Sequence, residues 1–481
     1  MRQKAIVYLL PLFSFLTAPA QEVIDLSGSW NFHIGELKKE HARKAGKDRL
    51  VVKDLGNDDF VMLPGSMLTN GKGNTVSVHT QWTGSLYDSS YYFNPYMERY
   101  RQEGNMKFPF FLTPERHYVG AAWYGRTIYV PDDWSDKRIM LFLERPHIET
   151  TVFVNGHEAG HQMSLSTPHV YDVTKLLKTG KRNDIVVRVY NGIENVCVGQ
   201  DSHSVTDQTQ GNWNGITGRM ELQARPKHVN IRSVRVYPDL KHGKAHVKVL
   251  IENHANQGLG RVHLMQLREY GLTYEVTMEG DNTMRPLISN GSRWINIERD
   301  KQVEFDIHMT DTMRPWDEFT PNVFRLTVYA GNDQYTTTFG FRNIAIDGRQ
   351  MLINGRPLFI RGTVENCCFP ETGYPPTDEE EWLRIFRKCK EYGLNMVRFH
   401  SACRMIQAGG MRMLDVCEEA GFSDYRYFSN CFKKQCGLTP EEYSRRAVPP
   451  TTAAAPVRRS ISSVERFFSP EESDRLLRAL P

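Results

Sequence analysis

The sequence predicts a mainly β protein. A jelly-roll sandwich and an Ig-like sandwich come first, followed by an incomplete start of a (β/α)8 barrel and a small helix-turn-helix. Three observations predict this order. Short runs rich in β-branched residues, separated by Gly, Asn, Asp and Pro, continue as far as residue 342. A strand, a helix and a second strand follow them. Two helical patterns joined at a glycine come next, and a chain of 481 residues has room for all of these domains.

The first 20 residues have the pattern of a signal peptide. Arg2 and Lys4 give a positive start, residues 5–16 are apolar, and the small-residue motif APA occupies positions 18–20. We therefore predict cleavage before Gln21 and an exported protein, either periplasmic or secreted. The alternative interpretation is a buried first strand or helix. No later run approaches the ~20 apolar residues of a membrane span, so no membrane partner is predicted.

Residues 21–226 are predicted to form the jelly roll. Its clearest strands are "RTIYVP" (126–131), "IMLFLE" (139–144), "TTVFVNG" (150–156) and "DIVVRVYN" (184–191). In the last strand Ile185, Val187 and Val189 share one face and Arg188 lies on the other. This alternation is typical of an antiparallel sheet with one face in a core, and many such strands indicate a sandwich.

Residues 227–342 are predicted to form one Ig-like sandwich. This second all-β run contains the strands "VNIRSVRVYPDL", "AHVKVLIEN", "VEFDIHM" and "VFRLTVYAG". Its length matches a single sandwich of about 100 residues.

Residues 343–402 change to an alternating pattern of strands and helix. "PLFIRGTV" (357–364) predicts a buried strand, and Thr377 with Glu380 predicts a capping box that starts a helix. Gly393 is expected to end this helix, and "MVRF" (396–399) predicts the next strand. A βαβ unit of this length implies parallel strands. One apolar stripe is expected along the helix, formed by Trp382, Ile385, Phe386 and Cys389.

Residues 403–446 have the pattern of a helix-turn-helix. An apolar stripe ends at Ala420, Gly421 interrupts it, and a second helix is expected after Ser423. Residues 447–481 then combine a Pro/Ala/Ser linker with a short final helix around "PEESDRLLRAL".

Charge and cysteine usage give little direct evidence of partners. The formal charge of +4 favours no class of ligand. Seven of the eight cysteines lie between Cys367 and Cys436, and none has the spacing of a zinc site, so no metal and no cofactor are predicted. Because the cysteines are clustered rather than spread along the chain, we expect mostly free, buried thiols.

The first ~400 residues resemble glycoside hydrolase family 2, the family of β-galactosidases and β-glucuronidases. The motifs are "DLSGSWNF", "HYVGAAWYGRTIYVPDDW", "NWNGITGRMEL", "PWDEFTPNVFRLTV" and "INGRPLFIRGTVENCCF" followed by "GLNMVRFHSAC". The resemblance implies a retaining mechanism with two carboxylates ~5 Å apart. Only ~60 residues of a barrel that takes ~250 are recognised, and no Asn-Glu motif follows Phe399. No catalytic residue is therefore assigned, the chain is expected to be inactive, and Glu365 is interpreted as a polar rim residue.

The same resemblance implies three sugar-binding positions. Arg398 and His400 match a strand motif that lines the sugar site, and Asp201, in "GQDSHSVTDQ", matches a loop that reaches toward the sugar. Carboxylate and imidazole groups suit the recognition of hydroxyls. The alternative is structural: barrel packing for Arg398 and His400, and an Asx turn for Asp201.

The segment "GFSDYRYFSNCFKKQCGLTPEEYSRR" resembles the last helix-turn-helix of AraC-type transcription regulators. The resemblance places Tyr425, Arg426, Asn430 and Lys433 on the face toward DNA. AraC-type proteins carry two such motifs, and only one is recognised here. Residues 404–446 hold 7 Lys/Arg and 6 Asp/Glu, so we expect weak DNA binding because phosphate neutralisation supplies most of the affinity.

Three functions remain open from the sequence. The first is a β-galactosidase-like protein of glycoside hydrolase family 2, which hydrolyses O-glycosyl bonds but is inactive as this chain. The second is a carbohydrate-binding protein without catalysis, and the third is an AraC-type sequence-specific regulator. Export and DNA binding belong to different compartments. The two parts therefore meet, near residues 403–411, in a genomic fusion or a sequence-assembly error.

Overall fold

A computed structural model describes most of the chain as far as residue 399. The described residues are 22–37, 50–56, 59–84, 93–107, 112–165, 167–196, 205–207, 211–253, 269–280, 287–296, 302–309, 311–365 and 369–399, with the single positions 429, 433, 439 and 440. The predicted signal peptide, nearly all of the predicted helix-turn-helix and residues 447–481 lie outside the described residues, so those predictions are not addressed by the fold.

The first sandwich contains thirteen of the described strands. They are β1 (Glu22–Asp25), β2 (Gly28–Ile34), β3 (Phe60–Leu63), β4 (Gly65–Ser66), β5 (Asn74–Thr75), β6 (Arg116–His117), β7 (Ala121–Val130), β8 (Lys137–Pro146), β9 (Glu149–Val154), β10 (His157–Met163), β11 (His169–Asp172), β12 (Lys181–Tyr190) and β13 (Gly215–Pro226). Short 3-10 helices lie at Val52–Leu55, Leu68–Asn70, Pro95–Tyr100 and Asp132–Trp134.

Two antiparallel sheets form the layers of this sandwich. One has the order β1-β13-β8-β11 with β4 beside β13, and the other has the order β10-β9-β12-β7-β2-β3. Trp30, Leu141 and Val187 are fully buried between them. The alternation predicted for β12 is confirmed, because Ile185, Val187 and Val189 are fully buried while Arg188 pairs with Glu36 on the other face.

The second sandwich contains seven of the described strands, in agreement with the predicted all-β run. They are β14 (Val229–Asp239), β15 (Lys244–Asn253), β16 (Glu269–Met278), β17 (Ile288–Asn296), β18 (Gln302–His308), β19 (Phe324–Ala330) and β20 (Asp333–Phe339). A three-stranded sheet, β14-β15-β18, faces a four-stranded sheet, β17-β16-β19-β20. The core between them is separate from that of the jelly roll and includes Val247, Val249, Phe324, Leu326 and Phe341.

The segment after residue 342 differs in part from the prediction. It contains β21 (Ile344–Asp347), β22 (Gln350–Ile353), β23 (Arg356–Pro357), β24 (Gly362–Glu365), one helix α1 (Glu379–Glu391) and β25 (Met396–Phe399). The antiparallel sheet β21-β22-β23 was not predicted. The predicted parallel pair is confirmed, because β24 and β25 run parallel with Val364 opposite Arg398.

The predicted buried strand at 357–364 is wrong in two respects. Residues 358–361 are outside any strand, and the strand begins only at Gly362. The side chains are also exposed, with Phe359 74% and Val364 49% accessible. The run of apolar residues predicted burial because parallel strands are normally covered on both faces. No described residues cover both faces of this strand, so its side chains stay exposed.

Helix α1 begins one residue later than predicted. Asp378 is the N-cap, and its carboxylate accepts a hydrogen bond of 2.8 Å from the Glu381 backbone N–H. The capping box of Thr377 and Glu380 is therefore wrong, since the extended backbone that a cap needs lies at Asp378. The expected apolar stripe is confirmed on one face, but Phe386 is 38% exposed. Cys389 is a free thiol as expected, although it is half-buried, and the other seven cysteines lie outside the described residues.

Candidate functional site

The predicted site residues are mostly outside the described part of the chain. Of the three sugar-binding candidates, Asp201 and His400 are not described, while Arg398 is exposed on β25. Glu365 ends β24 opposite Phe399. Whether the three predicted sugar-binding residues lie together stays a prediction, because only Arg398 is among the described residues. Of the four DNA-binding candidates, only Lys433 is described, at an exposed helical position, whereas Tyr425, Arg426 and Asn430 are not.

A buried carboxylate–imidazole pair lies at one end of the jelly roll instead. His117, at the end of β6, places Nε2 3.2 Å from Oδ2 of Asp207, and their side chains are 6% and 2% exposed. Asp207 also accepts hydrogen bonds from the backbone N–H groups of Thr83, at 2.5 Å, and Asn212, at 2.9 Å. Because a carboxylate only accepts, we assign the His117 proton to Nε2, which leaves Nδ1 as an acceptor.

Three buried asparagines extend this polar network. Asn191 donates to Oδ1 of Asn212 at 3.0 Å and to the backbone oxygen of Tyr118 at 2.7 Å. Asn214 donates to the backbone oxygen of Gly120 and accepts from the Tyr124 hydroxyl at 2.8 Å. Burial raises the pKa of Tyr124 well above its ordinary value, so this hydroxyl stays a donor. The amides tie the loops after β6, β12 and residue 211 into one rigid end of the sandwich.

The network opens on a depression that we call the inner cleft. The polar floor of this cleft includes His117, Asp207 and Asn212, and one wall comes from the segment 369–373. Its cavity volume is about 30 Å³, and the empty space of about 480 Å³ around it includes space that is open to solvent. Tyr118, Trp213 and Phe369 give it aromatic surface. Polar groups on a mostly apolar lining are typical of small-molecule sites.

The wall of the inner cleft is fixed to the jelly roll by specific contacts. Trp213 is stacked on His147, with ring centroids 4.7 Å apart, and its other neighbour is Tyr374 at 5.4 Å. The Ser66 hydroxyl donates to the backbone oxygen of Thr372 at 2.7 Å. Gly373 has φ +82°, and a Cβ at this position would lie 3.1 Å from Cβ of Trp213. Glycine is therefore needed here for both its backbone conformation and its close approach.

The inner cleft carries one cation without a carboxylate partner among the described residues. Arg116 donates from Nη1 to the backbone oxygen of Gly73 at 3.2 Å, and no ion pair joins it to a described carboxylate. Lys72, which also lines the cleft, is ion-paired with Asp59. Arg116 can thus donate to a ligand hydroxyl or carboxylate, because a guanidinium has five N–H donors.

Two negative findings apply to the described residues. They contain no group of three or more His, Cys, Asp or Glu side chains arranged to hold a metal ion. Their one α-helix of several turns, α1, is too short and too polar to span a membrane, and none of their other helical segments could do so.

The sequence contained signals for this site that residue-by-residue inspection missed. Asp207 lies in the same stretch, "GQDSHSVTDQ", as the predicted Asp201, six residues further on. His117 and the two asparagines lie in "HYVGAAWYG" and "NWNGITG", where polar residues alternate with residues that the fold buries. The available signal was a polar residue next to Trp or Gly at the end of a strand. Such a residue indicates a buried polar network whose hydrogen bonds are all formed.

Comparison with known families gives two matches along the chain. Residues 25–226 match the family description "Glycosyl hydrolases family 2, sugar binding domain". Residues 391–446 match the description "Helix-turn-helix domain". Both resemblances expected from the motifs are confirmed. The second match starts 12 residues before the predicted start of the helix-turn-helix at residue 403, so it includes β25, which is a strand.

Curated relatives are longer than this chain. A β-galactosidase of Priestia megaterium is 24% identical over 383 residues, which are 78% of this chain and 33% of that protein. A β-galactosidase of Vibrio vulnificus is 24% identical over 367 residues, 73% of this chain and 32% of that protein. The β-galactosidase large subunit of Leuconostoc lactis is 23% identical over 350 residues, 70% of this chain and 49% of its own length. The chain thus spans about a third to a half of these relatives.

Solved structures share the fold. A putative β-galactosidase from Bacteroides fragilis matches with a TM-score of 0.56 at 16% identity, covering 79% of this chain and 50% of that chain. Ruminococcus gnavus β-glucuronidase matches with a TM-score of 0.53 at 18% identity, covering 79% of this chain and 55% of that chain. At these identities the likeness shows the arrangement of sandwiches and not the chemistry of the site.

Proposed function

We propose that this chain, whose residues 25–226 are a sugar-binding domain of glycosyl hydrolases family 2, binds a β-glycoside in the inner cleft. The chain is a glycoside hydrolase-type protein by its relatives. The observation that carries the proposal is the buried pair of His117 and Asp207, which lies within the matched span and opens on the cleft.

The chemistry of the cleft suits a sugar ring. The Nδ1 atom of His117 accepts a hydrogen bond from a ligand hydroxyl because Asp207 holds the other ring nitrogen as a donor. Arg116 supplies donors for ring hydroxyls or for a carboxylate. The rings of Tyr118 and Phe369 provide apolar area against the C–H faces of the sugar. The relatives support this class, since they are β-galactosidases, and one solved neighbour is a β-glucuronidase in complex with D-glucuronic acid.

Calorimetric titration of the purified chain with methyl β-D-galactopyranoside and with methyl β-D-glucuronide tests the proposal. We expect Arg116→Ala to weaken glycoside binding by about tenfold, because it removes donors worth ~1.5 kcal/mol in the cleft. The matched control is Arg182→Ala, an exposed arginine on β12 outside the cleft, which should leave the affinity unchanged. Equal affinities for both variants, or no binding of either glycoside, would overturn the proposal.

We also propose that this chain binds glycosides without hydrolysing them. A retaining reaction needs an acid and a nucleophile on carboxylates ~5 Å apart. No Asn-Glu motif follows Phe399 in the sequence. Purified protein should therefore give no release from aryl β-galactosides or aryl β-glucuronides. Turnover that Glu365→Gln abolishes would contradict this and would assign a reacting group to the end of β24.

DNA binding is a second candidate function, favoured by the match of residues 391–446 to a helix-turn-helix domain. Lys433, which is exposed, is the one DNA-facing candidate that the structure describes. With a net charge of +1 over residues 404–446, we expect binding that is at best micromolar and fades with added salt. Nanomolar, sequence-selective binding at physiological salt, lost in Lys433→Ala, would favour the regulator over the carbohydrate-binding protein.

We further infer that the protein is exported and that its two matched regions were joined at the DNA level. Export rests on the predicted signal peptide, and mass spectrometry of protein purified from its source should find a mature N-terminus at Gln21. Retention of Met1 would contradict export.

Sequencing source DNA across codons 395–415 tests the join, because an interrupted reading frame there would identify an assembly error rather than a fusion.

A further inference from the structure

A second cavity, which we call the outer cavity, shares a wall with the inner cleft. Its volume is about 360 Å³, and His117 and Tyr118 line both spaces. None of its nine lining residues is Asp, Glu, Lys or Arg. A concave space of this size is large enough for a small ligand. The absence of charge contrasts with the inner cleft, where Arg116 and Lys72 are part of the lining.

A tight turn presents hydroxyls to the outer cavity. The Ser77 backbone N–H donates to Oγ1 of Thr80 at 2.9 Å, and the His79 N–H donates to the Ser77 hydroxyl at 3.1 Å. Both hydroxyl oxygens are thereby held in place as acceptors. Their own O–H groups have no acceptor among the described residues, so each can still donate to a ligand.

Amide groups lie beside these hydroxyls. Asn74, on β5, lines the outer cavity and makes no side-chain hydrogen bond to a described residue. Gln81 uses one N–H for the backbone oxygen of His79 at 3.3 Å and keeps its carbonyl oxygen. These two amides add donors and acceptors at the rim, where both residues are exposed.

His117 is the most constrained polar group of the outer cavity. Its side chain is 6% exposed, Nε2 is bound to Asp207, and the ring lies 4.9 Å from that of Trp82. Within the described part of the chain Nδ1 has no hydrogen-bond partner. Nδ1 can therefore accept one hydrogen bond, from a ligand hydroxyl or from water. Tyr118 uses its hydroxyl on the backbone oxygen of Ala121, which leaves its ring as an apolar surface.

We propose that the outer cavity is a second saccharide subsite that takes an uncharged sugar ring and is separated from the inner cleft by the wall of His117 and Tyr118. The inference rests on the proposed carbohydrate binding of the inner cleft and adds a separate site with its own selectivity. Hydroxyl, amide and imidazole groups around an aromatic ring match a polyhydroxylated, neutral ligand. A phosphate or carboxylate would lose hydration there, and none of the described lining residues is a Lys or Arg that would compensate for that loss.

The test measures binding of two probes to the full chain and to matched variants. Calorimetry with methyl β-D-galactopyranoside and methyl β-D-glucuronide is run on the chain with Asn74→Ala and Gln81→Ala together. The control is Gln102→Ala, an exposed glutamine outside both cavities. We expect the double variant to weaken the galactoside by about tenfold and the glucuronide by less than about twofold. The control should change neither, and thermal melts should show that all variants fold.

The outcomes separate this inference from the proposed function. Galactoside binding that responds to Arg116→Ala but not to the double variant overturns the outer subsite and leaves the inner cleft in place. Equal weakening of both probes in the double variant also overturns it, because the site would not distinguish charge. Failure of both probes to bind the unmodified chain overturns the proposed function together with the subsite.

Discussion

Asp207 is a buried carboxylate with three hydrogen-bond partners among the described residues. It accepts from two backbone N–H groups and from His117 while its side chain is 2% exposed. An amide in its place can accept at only one of its two ends, so at least one buried donor loses its partner. The unpaired donor costs the desolvation energy that its hydrogen bond had compensated.

The resulting prediction is a destabilisation of about 2–4 kcal/mol for Asp207→Asn, measured by urea unfolding. Asp136→Asn is the matched control, since the Asp136 side chain is 88% exposed and pairs only with Lys227 at 3.3 Å. It should change the free energy of unfolding by less than about 0.5 kcal/mol. Similar values for the two variants would show that the network contributes no stability.

His169 makes the jelly roll sensitive to acid. Burial lowers the pKa of His169 to about 4, and the positive charge of His161 acts in the same direction. Nδ1 lies 2.6 Å from the Thr150 hydroxyl, and Nε2 is buried without a hydrogen-bond partner among the described residues. Protonation would thus give the ring a second N–H donor, while Nε2 has no acceptor among the described residues.

Below pH 6.5 the unfolded chain binds this proton and the folded chain does not, so stability falls as the pH is lowered toward about 4. The loss amounts to at most about 3 kcal/mol, and it is absent above pH 6.5. We expect His169→Gln to remove this part of the pH dependence. The urea midpoints of the unmodified chain and of His169→Gln are measured at pH 7.5, 6.0, 5.0 and 4.5. The midpoint of the unmodified chain should fall more steeply with falling pH, so the difference between the two midpoints should shrink. Parallel pH profiles would rule out His169 as the source.

At the scale of residues a prediction from spacing can miss by one position. A cap was expected at Thr377, and Asp378 provides it. Asp201 lies outside the described residues, and the described carboxylate of the same polar stretch is Asp207. Which of several neighbouring polar groups is buried depends on contacts such as that between His117 and Asp207, 90 residues apart in the chain, and spacing along the sequence does not contain that information.

Helix α1 shows how one element depends on its first residue. The Asp378 carboxylate accepts from the Glu381 N–H, and Glu379, Glu380 and Glu381 place negative charge in the first turn. Both features stabilise the N-terminus through its unpaired N–H groups and its dipole. The helix has no fully buried residue, so packing contributes less than usual and the cap is correspondingly more important.

Asp378→Ala should therefore destabilise α1 by about 1 kcal/mol, whereas Thr377→Ala should have no measurable effect. Hydrogen exchange of the amides of residues 381–384 would accelerate about fivefold in the first variant only. Faster exchange in Thr377→Ala instead would restore the capping box that the sequence suggested.

At the scale of elements, the strands of the sandwiches were predictable and the barrel start was less so. Alternation at Ile185, Val187 and Val189 is a direct consequence of one buried face. The run "PLFIRGTV" offered no alternation, and the burial of such a run depends on what lies above and below it. With Phe359 74% exposed, the described surroundings supply no such cover, and the sequence alone could not show this.

At the scale of the whole molecule, the two largest hydrophobic cores among the described residues share no buried residue. The first includes Trp30, Tyr124 and Leu141, and the second includes Val249, Phe324 and Phe341. Each core lies between two sheets formed within its own sequence span. The two sandwiches therefore satisfy the requirement for domains that fold without the segments after them.

We expect a chain of residues 21–342 to be soluble and to unfold cooperatively with a β-type circular dichroism spectrum. Loss of the segment 369–374 removes the cover of Trp213, so a small decrease of the melting temperature, about 2–4 °C, is expected against the full chain. Calorimetry of both proteins measures it. Aggregation or a non-cooperative melt would show that the later segments are required for folding.

The hydrogen bond from Ser66 to Thr372 also determines when the inner cleft exists. The two residues are 306 positions apart, and the segment 369–373 that forms the cleft wall is synthesised long after the jelly roll. At about 5–20 residues per second, the ribosome leaves a delay of tens of seconds between them. During that time Trp213 lacks its contact with Tyr374 and Ser66 lacks its acceptor at Thr372. A nascent chain should thus acquire the inner cleft only after both sandwiches have been synthesised.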